Sequence, residues 1–261
     1  MSKKLTLLLA CLLLGLSVWQ APAVHGAEPK VIFSVNNEVL QFPANEAPLI
    51  TGNVLMVPIR MAGKALGLEV VYIQKEKKLE LSRNGQQLDI KLGTNEAVIN
   101  GKDKLAINGN VILRGNLVYV PFSLFNVMGL ISSYDSAAAQ AAVNSPQNYA
   151  DTVTGLLASG KYEQLWQRYF DKTAKTAMPV MKLQQAWEGL VAPYGTYNKL
   201  TSLSSHQDAE QISIKSTASF AKGDLAITIT VNSNGKITGL WFSPLAPSAA
   251  APQLKLPEGG T

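Results

Sequence analysis

Apolar and polar positions follow the same order in two stretches of the chain, and in each the pattern changes from strand to helix at a proline. In "VLMVPIRMAGKALG", residues 54–67, a short buried strand is followed by apolar residues that recur every three or four positions. "LVYVPFSLFNVMG", residues 117–129, repeats this order. Proline ends a strand and fits the first turn of a helix, because it lacks an amide donor and fixes φ. The switch is therefore predicted at Pro58 and Pro121.

These stretches belong to a longer internal repeat. The segments TGN (51–53), VP (57–58) and GL (67–68) recur as RGN (114–116), VP (120–121) and GL (129–130), at an offset of 63 that becomes 62. Asn36-Asn37 and Asn100-Gly101 are both predicted to close hairpins, because asparagine and glycine tolerate positive φ. Gly67 and Gly129 are predicted to end the two helices. The sequence thus predicts two copies of a strand-helix-strand unit over residues 30–144.

The pattern changes after a break at residues 144–147, where Asn-Ser-Pro-Gln marks a predicted domain boundary open to proteolysis. Helical spacing is predicted for residues 149–157, 162–170 and 180–191, and strands for residues 196–203, 211–220, 225–231 and 236–242. Helices followed by long antiparallel strands indicate a cone-shaped domain over residues 148–245. The fold class is therefore α+β in both parts, and an alanine- and proline-rich tail, residues 246–261, is predicted to be disordered.

The first 26 residues have the order of a secretory signal peptide: basic, then apolar, then small. Cleavage is expected after Gly26 or Ala27. A lipoprotein signal at Cys11 is the alternative, but only six residues of the apolar region precede this cysteine and the apolar run continues to Val18. Removal of the signal takes away the single cysteine and one of the two histidines, leaving His206. It also leaves 21 basic and 18 acidic residues, a net charge of +3. This weak excess does not indicate nucleic acid but suits anionic wall polymers, and no transmembrane segment is expected in the mature chain.

Part of this pattern resembles the copper amine oxidase N-terminal domain, found in secreted proteins of Gram-positive bacteria. The resemblance lies in the asparagine hairpin, the Val-Pro-Ile-Arg segment at 57–60, the Ala-Leu-Gly helix end at 65–67 and the strand after it. This resemblance implies a non-catalytic stalk module, because copper and the quinone cofactor belong to another domain of those enzymes. Lys64 replaces the usual glutamate of the family. The second copy is degenerate, with Ser123 in place of Arg60.

The second part resembles a secreted domain of unknown function that occurs alone or ahead of α/β-hydrolases, with an expected fold like nuclear transport factor 2. Trp187, the Gly-Thr-Tyr at 195–197 and "GKITGLWFSP" at 235–244 carry this resemblance. A Gly-x-Ser-x-Gly nucleophile elbow does not occur in the sequence, so the hydrolase itself is not expected.

Two sets of side chains are candidates for binding. The first is aromatic and could line the interior of the cone, although large rings more often fill a core: Trp166, Phe170, Trp187, Phe220 and Trp241. The second is a basic hairpin tip that could contact wall polymers, or simply be solvated: Lys75, Lys77 and Lys78. His206 could act as a general base but lies in a polar stretch typical of surface residues. No catalytic residue, metal site or cofactor is predicted.

The sequence therefore predicts a secreted, non-enzymatic protein of the cell envelope that binds or scaffolds. The expected partners are cell-wall polymers or another envelope protein. The alternative is a small-molecule-binding protein, or an enzyme of the hydrolase or isomerase type, that uses the interior of the C-terminal cone.

Overall fold

The computed structural model describes residues 30–208 and 211–245. The first part consists mainly of short strands: β1 (Ile32–Val35), β2 (Glu38–Val39), β3 (Leu49–Thr51), β4 (Val54–Pro58), β5 (Glu69–Ile73), β6 (Lys78–Arg83), β7 (Gln86–Lys91), β8 (Glu96–Ile99), β9 (Asp103–Ala106), β10 (Ile112–Arg114), β11 (Leu117–Pro121), β12 (Ile131–Asp135) and β13 (Gln140–Asn144). Its short α-helices are α1 (Ile59–Ala65) and α2 (Leu124–Val127), and a 3-10 turn spans Ala44–Glu46.

The two copies of the repeat exchange hairpins. The β1–β2 hairpin of the first copy joins the last strands of the second copy, in the order β12-β13-β1-β2. The β8–β9 hairpin of the second copy joins the first copy, in the order β5-β6-β7-β8-β9. Strands β4 and β11 pair at the centre of a third sheet, β10-β11-β4-β3. Neither copy completes a sheet without the other, so the whole repeat region is predicted to fold as one unit with a shared core.

Both helices of the repeat end at a glycine, as predicted. Gly67 has φ +69° and Gly129 has φ +68°, a left-handed conformation that costs glycine little. After α1, the Leu68 amide donates to the Gly63 carbonyl at 2.8 Å, and the equivalent bond after α2 is 3.0 Å long. This is a Schellman ending, which satisfies the last carbonyls of each helix and turns the chain back into a strand.

The second part begins with helices and ends with one sheet. The helices are α3 (Pro146–Ala158), α4 (Tyr162–Tyr169), α5 (Lys172–Ala177) and α6 (Val180–Val191). The antiparallel strands are β14 (Tyr197–Gln207), β15 (Gln211–Phe220), β16 (Gly223–Asn232) and β17 (Ile237–Pro244), in that order across the sheet. One face of this sheet packs against the helices in a second core, whose members include Leu165, Trp187 and Ile227.

The predicted α+β class and the order of strands, helices and final sheet are confirmed. Helix α2 is shorter than predicted, because the Phe122 amide donates to the Leu55 carbonyl at 2.8 Å and extends the sheet beyond Pro121. Helix α5 was not predicted. Its sequence, KTAKTA, has no apolar stripe, and the helix begins where Asp171 accepts a hydrogen bond from the Ala174 amide at 2.6 Å.

The predicted signal peptide and the predicted C-terminal tail lie outside the described residues. In the part of the chain that the structure describes, no helix combines the length and the apolar character needed to cross a membrane. The likeness of the second part to nuclear transport factor 2 stays a prediction.

Candidate functional site

A cleft of about 1040 Å³ lies between the β12-β13-β1-β2 sheet and helices α3 and α4. Its floor is the outer face of the sheet. One row of the floor crosses all four strands through Val39, Ser34, Ala142 and Ser133. These side chains are small, so space remains above the sheet. Ile32 and Val39 are 49% and 56% exposed and give the floor an open apolar part.

The opposite wall of the cleft is polar and basic. It is lined by Gln164, Gln167, Arg168, Tyr169 and Lys236. The Lys236 ammonium donates a hydrogen bond to the Arg168 carbonyl at 2.7 Å. Burial lowers the pKa of Lys236, the nearby Lys175 lowers it further, and Asp135 opposes both effects. Arg168 and Lys236 are the two basic residues in the described lining of the cleft, and Asp135 is its one carboxylate.

The junction between the two parts is short and makes several hydrogen bonds. Strand β13 ends at Asn144, and Ser145 caps α3 by accepting a hydrogen bond from the Asn148 amide at 3.1 Å. The Ser145 amide donates to the Asn36 side-chain oxygen at 2.9 Å. The Asn37 amide group donates to Asn148 and Thr152 at 3.0 and 2.9 Å. Residues 144–147 therefore include a helix cap bonded to the first hairpin, and their sensitivity to proteolysis stays a prediction. The domain boundary itself stays a prediction.

A turn of the second part packs against the first part on the other side of the junction. A side chain at Gly235 would place its Cβ 2.7 Å from the Ser132 carbonyl oxygen, and this glycine also has φ +68°. Only glycine fits both conditions. Next to it, the Asn126 amide group donates to the Ser233 carbonyl at 2.7 Å. The two parts therefore contact each other at this turn as well as at the junction.

The predicted aromatic set does not form one pocket. Trp187 is 2% exposed, and its ring centroid lies 6.1 Å from that of Phe220 and 5.1 Å from that of Phe242. Phe170 is also buried, at the end of α4. Trp166 is half-buried, and its indole nitrogen donates to the Met178 carbonyl at 2.8 Å. These contacts are those of a packed core, and a ligand role for the set stays a prediction.

The prediction that Trp241 lines the interior of the cone is wrong. It is 57% exposed and lies on the outer face of the sheet, opposite the helices. Its inward-facing neighbour is Phe242, which pairs with the buried Ile227 and packs on Trp187. Side chains of a strand alternate between faces, so Trp241 and Phe242 cannot both point inward. The sequence pattern "LWFS" leaves open which ring is buried.

The predicted basic tip is a turn between β5 and β6. Lys75 and Lys77 are exposed there. The Lys78 ammonium is paired with Glu80 at 2.7 Å and Glu76 at 3.3 Å. These two partners raise the pKa of Lys78, first through the hydrogen bond to Glu80. Part of the basic charge is therefore already neutralised locally, and contact with wall polymers at this turn stays a prediction.

His206 is exposed on β14, where its Nε2 atom lies 3.1 Å from an oxygen of Asp208. Both side chains are about four-fifths exposed, at 79% and 78%. A solvent-exposed pair gains little from its mutual attraction. The geometry does not set this histidine apart as a catalytic base.

The first part of the chain combines exchanged hairpins with two short helices that end at a glycine, one beginning directly after Pro58 and the other three residues after Pro121. Residues 34–143 match the copper amine oxidase N-terminal domain. Residues 150–240 match a family described as a protein of unknown function (DUF3887). Both resemblances noted in the sequence are thereby confirmed, in the same order. A search of curated proteins gave no match to the chain.

The cleft therefore lies between the region that matches the copper amine oxidase N-terminal domain and the region that matches DUF3887. Neither match indicates a catalytic family. Within residues 30–208 and 211–245, no three His, Cys, Asp or Glu side chains come together at a spacing suited to a metal ion.

The sequence reasoning missed the residues of the cleft. Arg168 and Lys236 are 68 positions apart, and no local motif connects them. Asp135 lies at the end of β12 in the first part, and no pattern in the sequence singled it out. Only the short stretch of chain between the last strand of the repeat and the first helix could have indicated the cleft. So short a connection brings the sheet and the helix close together.

Proposed function

We propose that the chain is a secreted, non-catalytic accessory protein of a Gram-positive cell envelope, and that it binds an anionic polymer in the cleft between its two domains. The observation that carries this proposal is the charge of the cleft: Arg168 and Lys236 line it against the single carboxylate of Asp135. An anionic segment in the cleft would offset the crowding of positive charge around Lys236.

The chemistry of the lining supports a polymer of phosphate or carboxylate groups. Arginine offers several donors in a planar fork, and lysine offers a compact charge, so both bind phosphate well. The amide groups of Gln164 and Gln167 and the hydroxyls of Ser34 and Ser133 can bond to the uncharged linking groups. The exposed apolar part of the floor suits the hydrocarbon portion of the repeating unit.

Two observations favour the cleft over the other sites considered. The basic tip at β5–β6 has Lys78 paired with two glutamates, so it has less free charge to offer. The interior of the second part, where an enzyme would need space, is occupied by Trp187 with Phe220 and Phe242 packed against it. A bound substrate there would have to displace these rings.

The test is a binding titration of the mature chain with poly(glycerol phosphate), by calorimetry at low salt and at physiological salt. We expect binding that weakens with salt, because exposed charges are screened over about 8 Å at 0.15 M. Arg168→Ala/Lys236→Ala should lower the affinity roughly tenfold or more, since hydrogen bonds to charged groups contribute about 1.5–3 kcal/mol. Lys64→Ala/Lys182→Ala removes the same charge at two exposed helix positions and is the matched control.

Equal loss of affinity in both double variants would mean that only net charge matters and would contradict a site in the cleft. No binding by the wild-type chain would contradict the proposal outright. N-terminal sequencing of the protein from culture medium and from wall fractions tests secretion and the expected cleavage after Gly26 or Ala27.

A further inference from the structure

The outer face of the β14-β15-β16-β17 sheet is rich in hydroxyl groups. Three rows of side chains cross this face from β14 to β17. The first row is Ser202, Thr217, Ala226 and Ser243, and the second is Ser204, Lys215, Thr228 and Trp241. The third row is His206, Ser213, Thr230 and Gly239. The hydroxyls of Ser202 and Thr217 lie 2.9 Å apart. Neighbouring strands are about 4.8 Å apart, so hydroxyls recur across the face at a spacing that one sugar ring can bridge.

Trp241 is the large apolar side chain of this face. A Cβ atom at Gly239 would overlap the six-membered ring of its indole, so the ring covers the bare backbone of that glycine. Glycine in a strand weakens it and often marks a close approach. The opposite side of the indole remains open, since Trp241 is 57% exposed. The glycine therefore lets an aromatic ring lie against the sheet and present its other side to solvent.

The size of this apolar patch indicates the class of partner. A tryptophan side chain has about 250 Å² of surface, so its exposed part is roughly 140 Å². Apolar patches at protein interfaces are usually several hundred Å². The patch is too small for a stable protein interface but matches one face of a pyranose ring, whose C–H groups bear the partial positive charge that the face of an indole attracts.

We infer that this sheet face is a second binding site, independent of the cleft, and that it takes an uncharged sugar chain. One pyranose ring stacks on Trp241, and the hydroxyls of the adjoining sugars exchange hydrogen bonds with Thr228, Thr230 and Ser213. Serine and threonine hydroxyls both donate and accept, as sugar hydroxyls do, so the two surfaces are chemically matched.

The experiment is calorimetric titration of the mature chain with two uncharged probes, chitohexaose and cellohexaose. We expect one or both to bind, and Trp241→Ala to weaken that binding about tenfold or more. Trp241→Phe should lose less, because it keeps a ring. Met181→Ala removes another exposed apolar side chain, on α6 and away from this face, and should bind as the wild type does.

Gly239→Ala is a second, independent variant, because it keeps the indole but forces it off the backbone. It should also weaken sugar binding, and a melting curve will show that the domain remains folded. Arg168→Ala/Lys236→Ala should bind the hexasaccharides normally, which separates this site from the cleft. The inference is overturned if neither sugar binds the wild-type chain, if Trp241→Ala binds as well as wild type, or if Trp241 matters only for self-association measured by sedimentation.

Discussion

The two outer sheets of the first part of the chain come from equivalent pieces of sequence but differ by one strand. In the five-stranded sheet, β7 lies between β6 and β8 and is antiparallel to both. In the four-stranded sheet, the equivalents of β6 and β8 are β13 and β1, and these pair directly and in parallel. Leaving one strand out of an antiparallel ladder brings two parallel strands together. The second copy therefore lacks a counterpart of β7.

The hairpin asparagines show what replaces that strand. Asn100 and Asn36 have nearly the same conformation, with φ +50° and +49°. The Asn100 side-chain oxygen accepts a hydrogen bond from the Gln87 amide of β7 at 2.8 Å. The Asn36 oxygen accepts one from the Ser145 amide, at the start of α3, at 2.9 Å. The second domain thus enters where β7 would begin, and its helices face the sheet that became the floor of the cleft.

The cores behind the two sheets also differ. At an offset of 63, Ala62 of the first copy corresponds to Phe125 of the second, and at 62 Leu79 corresponds to Ala141. The second copy has smaller residues in its strand and larger ones near its helix. Phe122 and Phe125 pack edge to face, with centroids 5.9 Å apart. Volume lost from the strand is thus restored by aromatic rings, which explains why a degenerate copy still packs.

Phe125→Ala should have the largest effect, because this ring is 1% exposed and packs against Phe33 and Phe122 in the core of the first part. We expect a loss of about 3–5 kcal/mol in the free energy of unfolding, measured by urea denaturation. Leu79→Ala behind the other sheet should lose about 2–5 kcal/mol and is the matched change. A loss below about 1 kcal/mol for Phe125→Ala would mean that the aromatic cluster is not the core of the second copy.

Asn36→Gly and Asn100→Gly compare the two sheets directly. Glycine keeps the positive φ and removes the side-chain acceptor, so each variant should lose about 1 kcal/mol from one hydrogen bond. The two variants should differ in which segment of the chain becomes less stable. Only Asn36→Gly should make residues 144–148 more sensitive to limited proteolysis, because only Asn36 holds the Ser145 amide.

Cleavage of the wild-type chain at residues 144–148, into two stable fragments, would show that the junction is looser than its hydrogen bonds indicate. Equal proteolysis of the two glycine variants at that segment would show that Asn36 does not hold the second domain.

Much of the local structure could be predicted from the sequence, because local chemistry determines it. Helix α6 has the bounds that its spacing predicted, and β15 agrees residue for residue. The asparagine turns and the glycine helix ends also followed from their residue types. Helix α5 could have been found from Asp171 as an N-cap, but its polar sequence has no periodicity to support it.

The exchange of hairpins and the cleft could not be predicted in this way. Asn36 meets Ser145 across 109 positions, and Lys236 meets Arg168 across 68. These contacts depend on which strands of one copy pair with strands of the other. The sequence of a single copy does not indicate this pairing. The exposure of Trp241 depends on strand register, which a one-residue shift would reverse.

An effect of about the same size is expected at Tyr149, on the helix that stands in place of β7. Its hydroxyl donates to the Gly235 carbonyl at 3.0 Å, in the turn that packs against the first domain. Burial, and secondarily the neighbouring Tyr169, hold the pKa of Tyr149 well above its ordinary value. Tyr149→Phe should cost about 1 kcal/mol at neutral pH, because the Gly235 carbonyl loses its donor.

The same side chain should make stability depend on alkaline pH. A pKa that is raised in the folded state means that stability is complete below the unfolded value, about 10, and falls as pH rises above it. Tyr119, Tyr162, Tyr169 and Tyr197 also have raised pKa values through burial, so the variant should retain part of this fall. Urea unfolding should be measured from pH 7 to 11 for both proteins. Above about pH 10 the free energy of unfolding should fall less steeply for Tyr149→Phe than for the wild type, and the two slopes should differ by about 1.4 kcal/mol per pH unit, the value for one proton. Parallel declines in the two proteins would mean that Tyr149 ionises as readily in the folded chain as in the unfolded one, and hence that the turn at Gly235 does not seal it from water.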